Sequence, residues 1–373
     1  MNIEPESVVA MQAYGYTHTQ AEFLCLIATH AGYFTRHQFL RFAHAQKGGA
    51  ASRFTERILR LHHGRTTRYG RQTLVYELYS RLIYDVINKG SLRHHGRHLS
   101  NDLVRTRLLI LDFVLDHPEH YYLETQADKV AYFHRKLGLP LPVLPGKIYP
   151  GIQSNSNTKH YFVDRFPIFI PSRSDSRFLP LAPAFVYCDG EPGLVGYISH
   201  LRRYERLLNQ LPSFNFVYAA PNNTKFKRAE EFFVRLFACD QHLNTDYLVR
   251  YFQIRKLWED HKTSVLTKPD RQLLRDGDSR FHSQIFADAY RQWTAAKISQ
   301  SDLNDALLRA KVQQKRRFST YVLSENYDIF ERLSKDCSTH QSGTISRNRS
   351  SSVGSSQPSS PVPATSLECI KNE

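Results

Sequence analysis

The stretch from Thr35 to Tyr79, TRHQFLRFAHAQKGGAASRFTERILRLHHGRTTRYGRQTLVYELY, decides how the chain is read. It breaks into a short helix-like run, a turn at Lys47-Gly48-Gly49, a longer helix, and two strand-like runs around a basic loop. In the longer run Phe54, Ile58 and Leu61 fall at i, i+4 and i+7, which predicts a single buried stripe. Arg53, Arg57 and Arg60 repeat that spacing one residue earlier and set three guanidiniums along the neighbouring face, with Ser52 and Glu56.

Beyond this helix, Arg65, Arg68 and Arg71 surround the Tyr69-Gly70 turn between HHGRTTRYG and RQTLVYEL. Arg36, at the start of the short helix, joins the same basic set. A solvated helix whose arginines only keep it soluble has the same pattern when taken alone. Helix, turn, helix and basic hairpin in this order instead outline a winged helix-turn-helix, with the longer helix in the major groove and the hairpin against phosphates or the minor groove. Arg36, Ser52, Arg53, Arg57, Arg60, Arg65, Arg68 and Arg71 are the expected DNA contacts.

Charge points the same way. The 373 residues carry 50 Lys and Arg against 35 Asp and Glu, a net charge of +15. The first hundred hold 13 Lys and Arg against 6 Asp and Glu, so nearly half of the surplus sits in about a quarter of the chain. A polyanionic partner is the simplest cause, and double-stranded DNA is the one expected, although charge alone would also suit an anionic membrane surface. No run of about 18 apolar residues occurs and MNIEPESVVAMQ lacks a signal pattern, so a cytoplasmic protein with no membrane partner is expected. Cys25, Cys188, Cys239, Cys337 and Cys369 are far apart with no C-x-x-C pair, against a disulfide scaffold or a zinc finger.

Taken in order, residues 1–16 read as a flexible lead-in. Thr19 and Glu22 have capping-box spacing for a helix to His30, Gly32 ends it, and Thr35 caps the next with Phe39 and Phe42 turned inward. This first domain spans 17–90. Residues 91–140 read as a helical connector, with LVRTRLLILDFVLDHP ended by Pro118 and LETQADKVAYFHRKLGL closed by Gly138 and Pro140. His94, His95 and His98 accompany Arg93 and Arg97 without acidic or cysteine partners, which suits a phosphate-facing loop better than a metal site.

Pro140 to Gly151 marks a boundary, after which 150–240 turns α/β. KHYFVDRFPIFIP reads as one strand or two joined at Phe166-Pro167, PAFVYCDGEPG as a strand and turn, and LVGYISHLRRYERLLNQL as a helix with Ile198, Leu201, Tyr204 and Leu208 spaced for burial. FNFVYAAPN is a strand leading to the helix KRAEEFFVRLFACD. Residues 241–336 read as helical, including YLVRYFQIRKLWEDH, SQIFADAYRQWTAAKIS and SDLNDALLRAKVQQKRRF, whose basic end suits a DNA backbone, a partner, or a helix terminus that favours cations. The Ser- and Pro-rich stretch 337–373 is expected to be disordered.

This order, with HLRRYERLL in the central helix, resembles the replication-relaxation family of plasmid and mobile-element proteins over residues 17–240. The resemblance implies an α+β chain: a winged helix-turn-helix followed by a domain similar to the PD-(D/E)xK nuclease fold, often with its active site lost. A working nuclease of that kind needs an acidic residue on one strand, then an acidic residue and a lysine two apart on the next. Asp164 suits the first position, but Asp189 and Glu191 are followed by Gly193 and not by lysine. Glu205 and Arg202 are the substitutes on offer; otherwise Asp164 sits at a strand end or pairs with Arg165 or Arg202, and Asp189-Gly190 makes a turn.

Phosphate-binding loops, a nucleophile elbow and H-E-x-x-H are all missing, and Tyr204 is spaced as a core residue with no histidine pair to make it a nucleophile. The expectation is a non-catalytic, cofactor-free and metal-free DNA-binding regulator of transcription or replication, with a dimer on two half-sites as the usual arrangement. The alternative is a metal-dependent nuclease targeted by the winged domain.

Overall fold

The structure is a computed structural model that describes residues 3–327 except 47, 70–72, 93–98, 150–157, 173–174, 238–244, 281–283, 298, 300–301, 304 and 306–314. The expected phosphate-facing loop at His94, His95 and His98, the Ser/Pro-rich tail and Arg71 lie outside the described residues. The chain is mixed α+β, and its described residues belong to one compact unit.

The first residues are not a loose lead-in. Helix α1 (Pro5–Gln12) starts on a proline at its first position and buries Val8 and Met11 against α2 (His18–His30) and α5 (Arg81–Val86). Thr17, two residues before the expected cap, closes a capping box on α2 with Gln20. Gly32 takes a positive φ of 77° after it. Thr35 then caps α3 (Arg36–Phe42) through Gln38.

Strand β1 (Tyr33–Thr35), α3, α4 (Gly49–Arg60), β2 (Gly64–Tyr69) and β3 (Thr73–Leu78) follow, and the three strands pair antiparallel in the order β1-β3-β2. Phe54 and Ile58 of α4 are fully buried, as their spacing predicts. Phe54 stacks on Phe39 at 4.4 Å between ring centroids, and Phe23, Phe34 and Tyr76 complete the aromatic core.

Helix α6 (Asn101–Asp116) is more than a connector, because it is buried along nearly its whole length. One side meets β1, α2 and α3, and the other meets a five-stranded sheet. That sheet runs β10-β9-β8-β7-β4, from β10 (Lys315–Val322), β9 (Ser213–Ala220), β8 (Ala184–Cys188) and β7 (Ile168–Ile170) to β4 (Tyr121–Tyr122). Strands β8, β9 and β10 are parallel, while β7 is antiparallel to both β8 and β4.

Alternation along the strands sorts the two faces. Ala184, Val186 and Cys188 join the core shared with α6, whereas Phe185 and Tyr187 pack beneath α8 (Val195–Gln210) and α9 (Phe226–Phe237). The strand, strand, helix, strand, helix order of β7-β8-α8-β9-α9 follows the sequence reading, with KHYFVDRFPIFIP divided into β6 (Thr158–Tyr161) and β7. Strand β6 forms a hairpin with β5 (Gly146–Tyr149), in what reads as a proline-rich boundary. Helices α10 (Thr245–Glu259), α11 (Lys268–Arg280) and α12 (Gln284–Thr294) bury a cluster of their own around Tyr251, Phe252 and Tyr290.

The basic segment KRRFSTYV corrects the helical reading of 241–336. It is strand β10, because it alternates in burial and Phe318 packs on Phe216 and Phe233. Two of its three charges act within the fold: Arg316 donates to the Phe237 carbonyl at 2.6 Å and Arg317 to the Arg177 carbonyl at 2.8 Å. A helix terminus and an edge strand both tolerate Lys and Arg, so charge did not distinguish them.

Where α4 turns into β2, a Cβ on Gly64 would sit 2.7 Å from both the Glu77 carbonyl oxygen and Ile58 Cγ2. The helix and the sheet can approach this closely only at glycine. Gly64→Ala is therefore expected to lower stability by about 1–3 kcal/mol, read as a reduced midpoint in chemical unfolding. An unchanged midpoint would show that β2 moves away from α4 at no cost.

Candidate nucleic-acid interface and the cation-lined cleft

The expected DNA contacts fall into two groups. Arg53 and Arg60 on α4 and Arg68 on β2 are exposed, and Ser52 is half-buried beside them. The others are tied into the fold. Arg57 donates through Nη1 to the Gly15 carbonyl and reaches Gln20 Oε1 at 3.4 Å, so it fastens α4 to the α1–α2 turn. Arg36 donates to Thr55 Oγ1 at 3.2 Å with its guanidinium over Tyr76. Arg65 pairs with Glu77 across the β2–β3 ladder at 2.7 Å. Arginine spacing on one helix placed these groups on a shared face but could not reveal which of them meet a carbonyl or carboxylate from elsewhere.

The nuclease positions are likewise distributed. Asp164 accepts from the Tyr204 hydroxyl at 3.1 Å and lies 3.8 Å from Arg203, where Arg165 or Arg202 was expected. Burial first, and then the Asp164 charge, push the Tyr204 phenol well above its ordinary range. Asp189 follows β8 as a turn residue, taking the Glu191 N–H at 3.0 Å, and also accepts from Tyr218 and Lys225. Glu191 accepts the Gly196 N–H at 3.2 Å in the first turn of α8.

Among the described residues, one group with metal-ligating atoms close together is Glu119, His120 and Asp175. The guanidinium of Arg177 already sits on Asp175 at 2.7 Å and lies 3.8 Å from Glu119. A cation thus occupies the position in which a metal would be attracted.

A third feature was not expected. Between α6, the segment before β7 and the end of α7 (Gln126–Val130) lie two cavities of about 430 and 200 Å³, both lined by Arg107, Asp164 and Arg165. Lys147 and Arg203 reach the larger one and Lys129 the smaller. Arg107 is only 7 % exposed and Lys129 5 %. Buried Nε and Nη1 of Arg107 and Nη1 of Arg165 have no hydrogen-bond partner. Arg107 opens the run RLLILDFVL, which is apolar but for Asp112, and a guanidinium at the edge of so apolar a run is a hint of this site in the sequence.

Desolvation dominates the electrostatics. Burial, and then the neighbouring Arg165, hold the Arg107 pKa well below its ordinary value. Lys129 is pushed down to about 8 by burial, opposed by Asp164 and aided by Arg107 and Arg165. His200, 3.9 Å from Asp164, is lowered to about 4, again chiefly by burial.

No family model, curated protein or solved structure matches the chain. No helix among the described residues is long and apolar enough to cross a membrane.

Lys129 gives this cleft a pH signature. Its folded pKa lies below the unfolded value near 10.5, so the unfolded chain binds the extra proton between about pH 8 and 10.5 and stability rises with pH across that window. Below pH 8 the penalty is fully present, on the order of 3 kcal/mol. Lys129→Met should therefore be more stable than the parent at pH 7, with the gap shrinking from pH 8 to 10.5. A gap that stays constant through denaturation at several pH values would refute the depressed lysine.

Proposed function

We propose that the chain is a double-stranded DNA-binding protein that regulates transcription or replication of a plasmid or other mobile element, without catalysing a reaction on the DNA. The observation that supports it is the order α2-β1-α3-α4-β2-β3 with a β1-β3-β2 sheet, the plan of a winged helix-turn-helix. In this reading α4 is the recognition helix, carrying exposed Arg53 and Arg60, and the β2–β3 hairpin is the wing, carrying Arg68. Arg57, Arg36 and Arg65 hold the helix and the wing in place. A dimer on two half-sites is the usual arrangement for such a domain, and the replication-relaxation resemblance supplies the mobile-element context.

The surroundings of Asp164 argue for the non-catalytic form. A metal-dependent nuclease gathers carboxylates so that a divalent cation is attracted. Here the Asp164 carboxylate is shared with Tyr204 and Arg203 and is flanked by Arg107, Arg165 and Lys129, which repel such an ion.

Duplex binding across a salt series, with Mg²⁺ present, tests the proposal. The parent should bind with an affinity that falls steeply with salt and should leave the DNA intact. Arg68→Ala should weaken all sequences alike and lower the salt slope by about one unit, whereas Arg53→Ala or Arg60→Ala should relax discrimination at one base pair by about 1–3 kcal/mol. Binding that survives the combined Arg53→Ala, Arg60→Ala and Arg68→Ala substitution would remove α4 and its hairpin from the DNA interface, and cleavage of the duplex would favour the nuclease reading.

A further inference from the structure

The cleft beside α6 combines three properties that a merely structural cluster of cations lacks. It has volume, it has an excess of positive charge, and some of its donors have nothing to donate to. Five cationic side chains, Arg107, Arg165, Lys129, Lys147 and Arg203, line one or both of the two cavities, against two carboxylates, Asp164 in both and Glu124 in the smaller. Both carboxylates are engaged. Glu124 is paired with Lys89, and Asp164 accepts from Tyr204 and lies against Arg203. Arg107 and Arg165 are left with buried N–H groups that meet no acceptor, and Lys129 spends its ammonium on the Phe166 carbonyl at 3.2 Å.

Burying a guanidinium without an acceptor, as at Arg107, is costly, and a half-buried Arg165 with one buried N–H beside Lys129 adds mutual repulsion. An acceptor-rich anion would offset both. We propose that these cavities are a binding site for a small molecule bearing a phosphate group, whose oxygens accept from Arg107 and Arg165 beside Lys129 while its body lies in the 430 Å³ cavity. A phosphate monoester carries about −1.5 to −2 charge and three acceptor oxygens at neutral pH, which suits several convergent cations better than the single charge of a carboxylate. Guanidiniums match its geometry by donating in pairs. The depth of Arg107 favours a free small molecule over a duplex backbone, which cannot descend to a side chain that is 7 % exposed. Tyr149, at the larger cavity with the Lys147 ammonium over one face of its ring, adds aromatic surface for an organic body. This inference concerns a different surface from α4 and its hairpin and does not depend on the DNA-binding proposal.

Thermal unfolding and calorimetric titration of the full chain provide the test. The probes are pyrophosphate and a nucleoside 5′-monophosphate, with succinate and NaCl at matched ionic strength as references. The phosphate probes should raise the unfolding midpoint in a saturable way beyond both references, as expected for a ligand that binds only the folded state. Arg165→Gln should weaken that binding about tenfold or more, the scale of one lost charge-assisted hydrogen bond. It removes one charge from a repelling cluster, so its ligand-free midpoint should not fall. Arg203→Gln, at the exposed edge of the cavity, supplies a second variant and should weaken binding by a smaller factor.

The proposal is overturned if the phosphate probes do no more than matched NaCl, if succinate acts equally, or if both variants respond as the parent does. A short duplex added in competition separates the two phosphate sources. Displacement of pyrophosphate by duplex, lost in Arg165→Gln, would assign these cations to DNA and overturn the small-molecule site.

Discussion

The fold depends on how the carboxylate of Asp112 is satisfied. It lies on α6 with no exposed surface, and such a charge is tolerated only when its oxygens are fully engaged. Gln38 donates to Oδ1 at 3.0 Å, Arg41 lies 3.2 Å from the same oxygen, and Tyr327 donates to Oδ2 at 2.8 Å. Burial still prevails over these contacts and raises the Asp112 pKa to about 6. Gln38 is the more economical partner, because its carbonyl oxygen closes the Thr35 capping box while its amide also donates to the Leu108 carbonyl. The start of α3 and its docking on α6 are thus one event. Tyr327 brings the segment after β10 to the same carboxylate, so residues more than 200 positions apart converge on one side chain.

That convergence explains why α6 has almost no solvent face. A surface helix needs one apolar stripe, but RLLILDFVL must satisfy β1 and α3 on one side and the sheet on the other. Its apolar residues therefore run consecutively, and its few polar residues take on specific partners. Arg105 donates to the Gly190 carbonyl at 2.9 Å and to the Asn326 carbonyl at 3.0 Å, closing the helix onto the turn after β8. Arg107 points into the cavities instead. Two arginines two residues apart on one helix have opposite fates, decided entirely by what packs against each.

The same distinction explains what the sequence made legible. The cap at Thr35, the buried pair Phe54 and Ile58, the strand AFVYC and the helix through HLRRYERLL were readable because each depends on contacts within a few residues or on a simple period. Helix α1 was missed because eight residues with two valines carry little local signal, and only α2 and α5 give Val8 and Met11 something to pack against. Strand β4 has two residues and exists only as the partner of β7. Strand β10 was read as helix because its register with β9 is set by residues about 100 positions earlier.

Charge was the least transferable signal, and for a physical reason. A count of arginines reports the long-range field, which favours polyanions wherever the charges sit, but each guanidinium acts through the first shell it meets. Arg53, Arg60 and Arg68 meet solvent, Arg57 meets a backbone carbonyl, Arg65 meets Glu77, and Arg107 meets a cavity. The surplus that drew attention to nucleic acid therefore divides into an outward part available to a partner, an inward part that holds elements together, and a small buried part left without acceptors. The buried part destabilises the chain that carries it, and beside it Lys129, although bonded to the Phe166 carbonyl, has its pKa lowered by the same burial and repulsion. A ligand that neutralises it gains affinity from relieving that cost as well as from its own contacts. Because Arg107 shares α6 with Leu108 and Asp112, which hold Gln38 at the start of α3, any such ligand would act on the helix against which the N-terminal helices are packed.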